Sequence, residues 1–137
     1  MQRFRVVITD KNHNVRAILR RTFAERRFDV AEAMNGNEVA AFLNDATPPH
    51  VIVLDPDIPG AEKIPALERR RDPQFCVPIV LHCLAEPAED EPLRRRATAI
   101  VEKQGDVSRL TEAVRRILLE RYLPDAETRE ALLHDAL

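Results

Sequence analysis

Two aspartates have the best claim to chemistry in this chain. Asp10 and Asp55 each stand directly after a short apolar run, Phe4 to Thr9 and Val51 to Leu54. Singly, each aspartate serves equally well as a turn or helix-cap residue. If the two runs are neighbouring strands, however, their carboxylates meet beyond the strand ends, where ligands and reactive groups gather in an open doubly wound sheet. The clusters Arg69-Arg70-Arg71 and Arg94-Arg95-Arg96 suit phosphate or an acidic partner, although exposed cations at helix ends are the plainer reading. Cys76 and Cys83 lack the spacing of a zinc site or a disulfide framework and are expected to be reduced. His82 is open to two readings, a satisfied structural residue at a strand end, the commoner case, or a catalyst.

The elements that must position these groups follow from hydrophobic patterning. Phe4 to Thr9, Val51 to Leu54 and Val77 to Leu81 are nearly continuous apolar runs, the mark of strands buried on both faces. Asp29 to Ala33 and Thr98 to Glu102 are weaker strands. Val15, Ile18, Leu19, Thr22 and Phe23 form one helical stripe, and Val107, Leu110, Val114, Ile117 and Leu118 form another. Asn35-Gly36 turns into a helix over roughly Asn37 to Asp45, ended by Thr47-Pro48-Pro49. A third helix is expected from about Glu62 to Arg71. Glu86 to Arg96, with Pro87 and Pro92, should hold only a short or irregular one.

Strands alternating with helices require right-handed crossovers and a parallel sheet covered on both sides. The fold class is therefore α/β, a doubly wound sheet of five parallel strands with helices on both faces, for which the flavodoxin-like 2-1-3-4-5 is one common order. That order makes the first and third strands neighbours and brings Asp10 to Asp55. Residues 1–122 read as this domain. Residues 123–137 read as an extension with no output domain behind it, in which Ala126 to Leu137 forms an amphipathic helix.

Composition sets outer limits. The 137 residues, 45% hydrophobic, suffice for one core but not for two domains of ordinary size. A net charge of −2 does not point to nucleic acid or an anionic membrane. The apolar stretch near the N-terminus is too short for a signal peptide and no run approaches a membrane span, so the expected location is the cytoplasm. A flavin or nucleotide site of the usual kind needs a glycine-rich loop after the first strand, but Asp10-Lys11-Asn12-His13-Asn14 has no glycine. The same stretch fails the Asp-x-His-x-x-Gly pattern of cobalamin proteins, so no organic cofactor is expected. The terminal helix is too acidic to read DNA, with Asp125, Glu127, Glu130 and Asp135 against Arg129.

From Phe4 to about Arg121 the chain resembles the receiver domain of two-component response regulators, the CheY-like family. Five stretches in register carry the resemblance. They are Asp10-Lys11-Asn12-His13-Asn14-Val15-Arg16, Ala33-Met34-Asn35-Gly36-Asn37-Glu38, Val51 through Leu54 followed by Asp55-Pro56-Asp57-Ile58-Pro59-Gly60, Pro78-Ile79-Val80-Leu81, and Lys103. The resemblance implies that Asp55 accepts a phosphoryl group from a phosphohistidine or a small acyl phosphate, with Lys103 neutralising the charge on that group. It implies a magnesium ion held by Asp10, Asp55 and the backbone carbonyl of Asp57. The implied role is that of a signalling protein and not an enzyme. Its partners would be a sensor histidine kinase or phosphotransfer protein and a downstream signalling protein.

Three positions depart from the family pattern. Lys11 stands where the second residue of an acidic pair belongs. Two unit charges about 4 Å apart interact by about 4 kcal/mol at an effective dielectric of about 20, so magnesium binding should weaken. The Lys11 ammonium is expected to pair with Asp10 or Asp55 and partly replace the metal. Cys83 takes the place of a Thr or Ser that contacts the new phosphoryl group, and a thiol is a poor donor. Ile100 replaces the aromatic residue that reports the change, and a β-branched aliphatic cannot swing in the same way. The chain thus reads as an atypical single-domain receiver acting through protein-protein contact, with weakened phosphorylation at Asp55. The alternative is a working phosphoryl carrier in a phosphorelay. Leu132, Leu133 and Leu137 need cover, either from a second copy in a homodimer or from the chain's own domain.

Overall fold

The computed structural model describes residues 3–123. Five parallel strands form one sheet: β1 (Arg5–Ile8), β2 (Asp29–Glu32), β3 (Val51–Leu54), β4 (Ile79–Cys83) and β5 (Ala99–Glu102). Their order is β2-β1-β3-β4-β5, as the sequence leads one to expect. In register, Val6 lies beside Val30 and Val51, and Val53 lies beside Val80. The helices are α1 (His13–Glu25), α2 (Gly36–Leu43), α3 (Ile64–Leu67), α4 (Pro92–Arg96) and α5 (Ser108–Tyr122). Among the described residues no helix is long and apolar enough to cross a membrane. The proposed helix over Ala126 to Leu137 lies outside the described residues.

Alternate residues of each strand face opposite cores. Val6, Ile8, Val51, Val53 and Val80 pack with Leu19 and Phe23 of α1 and with Leu110, Val114 and Leu118 of α5. Val7, Ile52, Leu54, Ile79 and Leu81 face the other way, toward Val39 and Leu43 of α2, Ile64 of α3 and Leu93 of α4. Both faces being covered explains why β1, β3 and β4 read as continuous apolar runs.

Most boundaries fall within two residues of the sequence reading, and those of α3 and β4 have clear physical reasons for their shifts. The expected helix from Glu62 to Arg71 is a 3-10 turn (Ala61–Lys63) followed by the single turn of α3. It stops because Glu68 turns extended (φ −70, ψ 127) and buries its carboxylate on the Arg96 guanidinium, at 2.6 and 2.7 Å. The Arg69 amide then goes to Asn44 Oδ1 (2.8 Å) instead of a helical carbonyl. β4 begins at Ile79 and not at Val77, because Pro78 has no N–H to give and uses its carbonyl to receive Ile52 N (3.0 Å). It continues to Cys83, which is therefore the last strand residue and not a loop residue. α4 is the short helix anticipated, with Pro92 in its first turn, where the missing N–H costs nothing.

Candidate functional site

The loop after β1 is shaped by its own polar side chains. Asp10 Oδ1 accepts the amide of Asn12 (2.8 Å). Asn12 caps α1 through Oδ1 to the amides of Asn14 and Val15 (2.8 and 3.2 Å). Arg16, one turn along, donates to the Asp10 carbonyl (2.7 Å). Asp10 is thus a turn residue and a site residue at once, and its second oxygen is left for the pocket.

Asp55 is fixed equally firmly at the end of β3. Its amide donates to Thr9 Oγ1 across the strands (2.9 Å). Asp55 Oδ1 accepts the Asp57 amide (2.9 Å), and Oδ2 accepts the Lys11 amide (3.2 Å) and Lys103 Nζ (3.1 Å). Lys103 reaches the pocket because its own amide is held by the Cys83 carbonyl at the end of β4 (2.7 Å). The same ammonium lies 2.9 Å from Asp10 Oδ2, so one cation bridges two carboxylates that are both fully buried. That Asp10 contact is an ion pair outside hydrogen-bond alignment, and Oδ2 has no hydrogen-bond partner among the described residues.

The charges respond accordingly. Burial pushes the Asp55 carboxyl up, but the amides of Asp57 and Lys11 and the Lys103 ammonium outweigh it and hold the carboxyl below its usual range. Burial pulls Lys103 down, and its two carboxylate partners more than reverse this. Burial, reinforced by Lys103, keeps His82 neutral against the opposing pull of Asp10 and Asp55. His82 is only 4% exposed and its Nδ1 has no partner among the described residues, so the satisfied structural histidine read from sequence is a buried, unsatisfied one.

The Lys11 expectation needs correction. Its ammonium pairs with the Asp57 carboxylate at 3.6 Å, on the surface, and not with Asp10 or Asp55. The long side chain keeps its charge in water, and Lys103 already fills the place inside. Only the Lys11 backbone serves the pocket. Cys83 is buried, with Sγ 4.0 Å from the Val101 carbonyl. Burial raises its thiol pKa, and neighbouring carboxylates, Glu86 foremost, raise it further. This is the reverse of an activated cysteine. Ile100 is half-buried against the core shared with α2, α3 and α4.

Sequence reasoning gave no part to Thr9, which sets the Asp55 backbone, or to the amide donors of Lys11 and Asp57. A β-branched hydroxyl directly before Asp10 was the available signal for Thr9; main-chain donors leave none.

Among the described residues no group of three or more His, Cys, Asp or Glu side chains is arranged to hold a metal ion. Magnesium needs less than that from protein, since it retains waters. The hard oxygen donors of Asp10 and Asp55, including Asp10 Oδ2 with its ion pair to Lys103, fit such an ion with few protein ligands and Lys103 as a competitor.

A family model for the response regulator receiver domain matches residues 6–115. The chain is 31% identical over 116 residues to the regulatory protein AtoC of Escherichia coli (strain K12), covering 83% of this chain and 25% of that protein. It thus spans about a quarter of that relative's length. Among solved structures, the fold is similar to the response regulator TrrA of Thermotoga maritima, solved in complex with Mg2+-BeF. The TM-score is 0.70 at 20% identity, over 84% of this chain and 99% of that one. It is also similar to the chemotaxis response regulator CheY4 of Vibrio cholerae, with a TM-score of 0.71 at 19% identity over 85% and 100% of the two chains. A receiver fold, a matching family model over most of its length and a buried Asp-Asp-Lys pocket at the ends of β1, β3 and β5 together establish that this chain belongs to the response regulator receiver domain family of two-component signal transduction.

Proposed function

We propose that this receiver is an atypical one: it takes a phosphoryl group at Asp55 with reduced efficiency and acts mainly by presenting a surface to a partner protein. The observation that carries the reading is the Lys103 ammonium held between Asp10 Oδ2 and Asp55 Oδ2, at 2.9 and 3.1 Å. It keeps Asp55 ionised as a nucleophile and leaves a cation ready for the oxygens of an incoming phosphoryl group. In transfer from a kinase or phosphotransfer protein, an Asp55 oxygen bonds to phosphorus, the phosphorus-nitrogen bond of the donor phosphohistidine breaks, and the electron pair returns to the imidazole. A magnesium ion held by Asp10, Asp55 and the Asp57 carbonyl would neutralise charge on that group. Lys11 supplies no second carboxylate to strengthen the ion's hold.

The docking surface in this reading is α4, β5 and α5. β5 is the sheet edge, and a cavity of about 530 Å³ beside it is lined by Ala99, Ser108, Arg109, Glu112, Arg116 and Ile117. The altered pair Cys83 and Ile100 lies between this face and Asp55, so the surface is proposed to be offered largely independently of phosphorylation. A second reading, a competent phosphoryl carrier in a phosphorelay, is favoured by the outward turn of Lys11 toward Asp57, which leaves the pocket's interior to Asp10, Asp55 and Lys103. Intact mass after treatment with acetyl phosphate and magnesium separates the two. Slow gain of one phosphoryl group, absent in Asp55→Ala and accelerated about tenfold or more by Lys11→Asp, is expected for the weakened receiver. A wild-type rate equal to that of Lys11→Asp supports the carrier and overturns the first reading.

A further inference from the structure

At the end of the sheet opposite Asp55, where β4 and β5 begin, two cavities adjoin. One, of about 370 Å³, is lined by Arg71, Arg95, Arg96 and Arg121 around Cys76 and Val77. The other, of about 260 Å³, is lined by Pro48, Pro49, Phe75 and Tyr122, and shares Cys76, Val77 and Arg121 with the first. Folding therefore collects one member of the first arginine cluster, two of the second and a fourth arginine from α5.

These arginines are only partly used by the fold. Arg96 is anchored by Glu68 and the Val77 carbonyl (2.7 Å). Arg121 donates through Nη2 to the carbonyls of Gln74 and Cys76 (2.7 and 2.6 Å). Arg71 Nη1 lies 3.3 Å from the Pro65 carbonyl. The Arg95 side chain makes no hydrogen bond or ion pair among the described residues. A guanidinium carries five N–H donors, so the anchored forks are oriented while spending only part of them. Among the described residues Glu68 is the sole carboxylate paired with any of the four, which leaves the cavity strongly cationic.

The adjoining cavity supplies a different chemistry. Phe75 is 62% exposed, an aromatic ring facing solvent beside the arginines, and Tyr122 is fixed by its hydroxyl on the His50 carbonyl (2.8 Å). Several planar guanidinium forks suit more than one phosphate, and an exposed aromatic face suits a nucleobase. We propose that the double cavity binds a nucleotide carrying two or more phosphates, with the phosphates at Arg71, Arg95, Arg96 and Arg121 and the base against Phe75. The site shares no residue with the Asp55 pocket and does not depend on whether Asp55 is phosphorylated.

Calorimetry and NMR on the full chain, without magnesium, test this with ATP as the probe and adenosine and inorganic triphosphate as comparators. Saturable ATP binding is expected, about tenfold or more tighter than either comparator. Arg71→Ala with Arg95→Ala, both at exposed positions, should weaken ATP and triphosphate by about tenfold or more. Phe75→Ala should weaken ATP by about tenfold and leave triphosphate unchanged. Asp55→Ala should leave all of these unchanged. Absence of saturable ATP binding below about millimolar concentration overturns the proposal. So does indifference to the arginine changes in a variant with wild-type circular dichroism. Triphosphate binding as tightly as ATP, with Phe75→Ala without effect, would reveal a bare anion site and overturn the nucleotide assignment.

Discussion

Lys103 is a single cation answering for two buried carboxylates, and its worth depends on pH. The Asp55 pKa is lowered by folding, so its contribution is present above the ordinary carboxylate value of about 3.9 and is lost as pH falls through the lower folded value. The Lys103 pKa is raised, so its contribution is present below about 10.4 and is lost as pH rises through the higher folded value. Replacing Lys103 by Met leaves two neighbouring buried anions and is expected to cost roughly 3 kcal/mol in urea denaturation at pH 7, with one carboxyl taking up a proton to limit the loss. The penalty should shrink as pH falls toward the lowered folded value of Asp55, where that carboxyl takes up a proton even in the wild type. His82 shifts stability in the same direction as Asp55, at higher pH. Folding lowers its pKa, so below about 6.5 the unfolded chain binds a proton that the folded chain refuses, and stability falls with pH. His82→Leu removes both the charge problem and the unpartnered Nδ1. It should stabilise the domain by about 1 kcal/mol and flatten the stability profile between about pH 5 and 7. A less stable variant with an unchanged slope would mean that His82 has a partner in solution.

Two contacts between elements fix connecting segments, one beside the Asp55 pocket and one at the opposite end of the sheet. The Gly36 amide at the start of α2 donates to the Pro59 carbonyl (2.8 Å), and a Cβ at Gly36 would lie 2.0 Å from the Gly60 carbonyl oxygen. Gly60 itself has φ +75. Gly36→Ala must therefore push the loop after β3 away, at an expected cost of roughly 3 kcal/mol in denaturant unfolding, and should displace the Asp57 amide resonance more than that of distant α5. The Glu68-Arg96 fork plays the corresponding part between α3 and α4. Glu68→Gln weakens it while leaving the arginine charged, for an expected loss of roughly 2 kcal/mol. Strand order and the meeting of Asp10 with Asp55 were legible in the sequence because β-branched runs such as Val51 to Leu54 announce buried strands and doubly wound sheets allow few orders. The early end of α3 was not, since Glu68 fits a helical pattern and its partner lies 28 residues away. Lys11 was misjudged for a related reason: a motif shows which residue stands at a position, but the direction of a flexible side chain depends on Lys103, which arrives from β5.

At the scale of the molecule, β4 and β5 lie between the Asp10-Asp55-Lys103 pocket and the surface that is proposed to meet a partner, and a signal must cross them to connect the two. Cys83 and Ile100 belong to those two adjacent strands, Cys83 paired with Glu102 and Ile100 with Leu81. Coupling requires an element with two arrangements that both sites bias. Cys83 is a weak donor with a raised thiol pKa, and Ile100 is a half-buried aliphatic whose position favours one packing. Beryllofluoride with magnesium should therefore shift amides close to Asp55 while leaving those of β5 and α4 nearly unmoved. Cys83→Thr puts a hydroxyl at the end of β4 and Ile100→Tyr puts a ring on β5, and in the proposed reading each alone lacks the other half. The double variant should spread the shifts into β5 and α4, with a non-additive gain of about 1 kcal/mol in beryllofluoride binding by the double-mutant cycle. Additive singles, or shifts already reaching α4 in the wild type, would place the conduit elsewhere in the sheet and return the domain to the ranks of phosphorylation-driven switches.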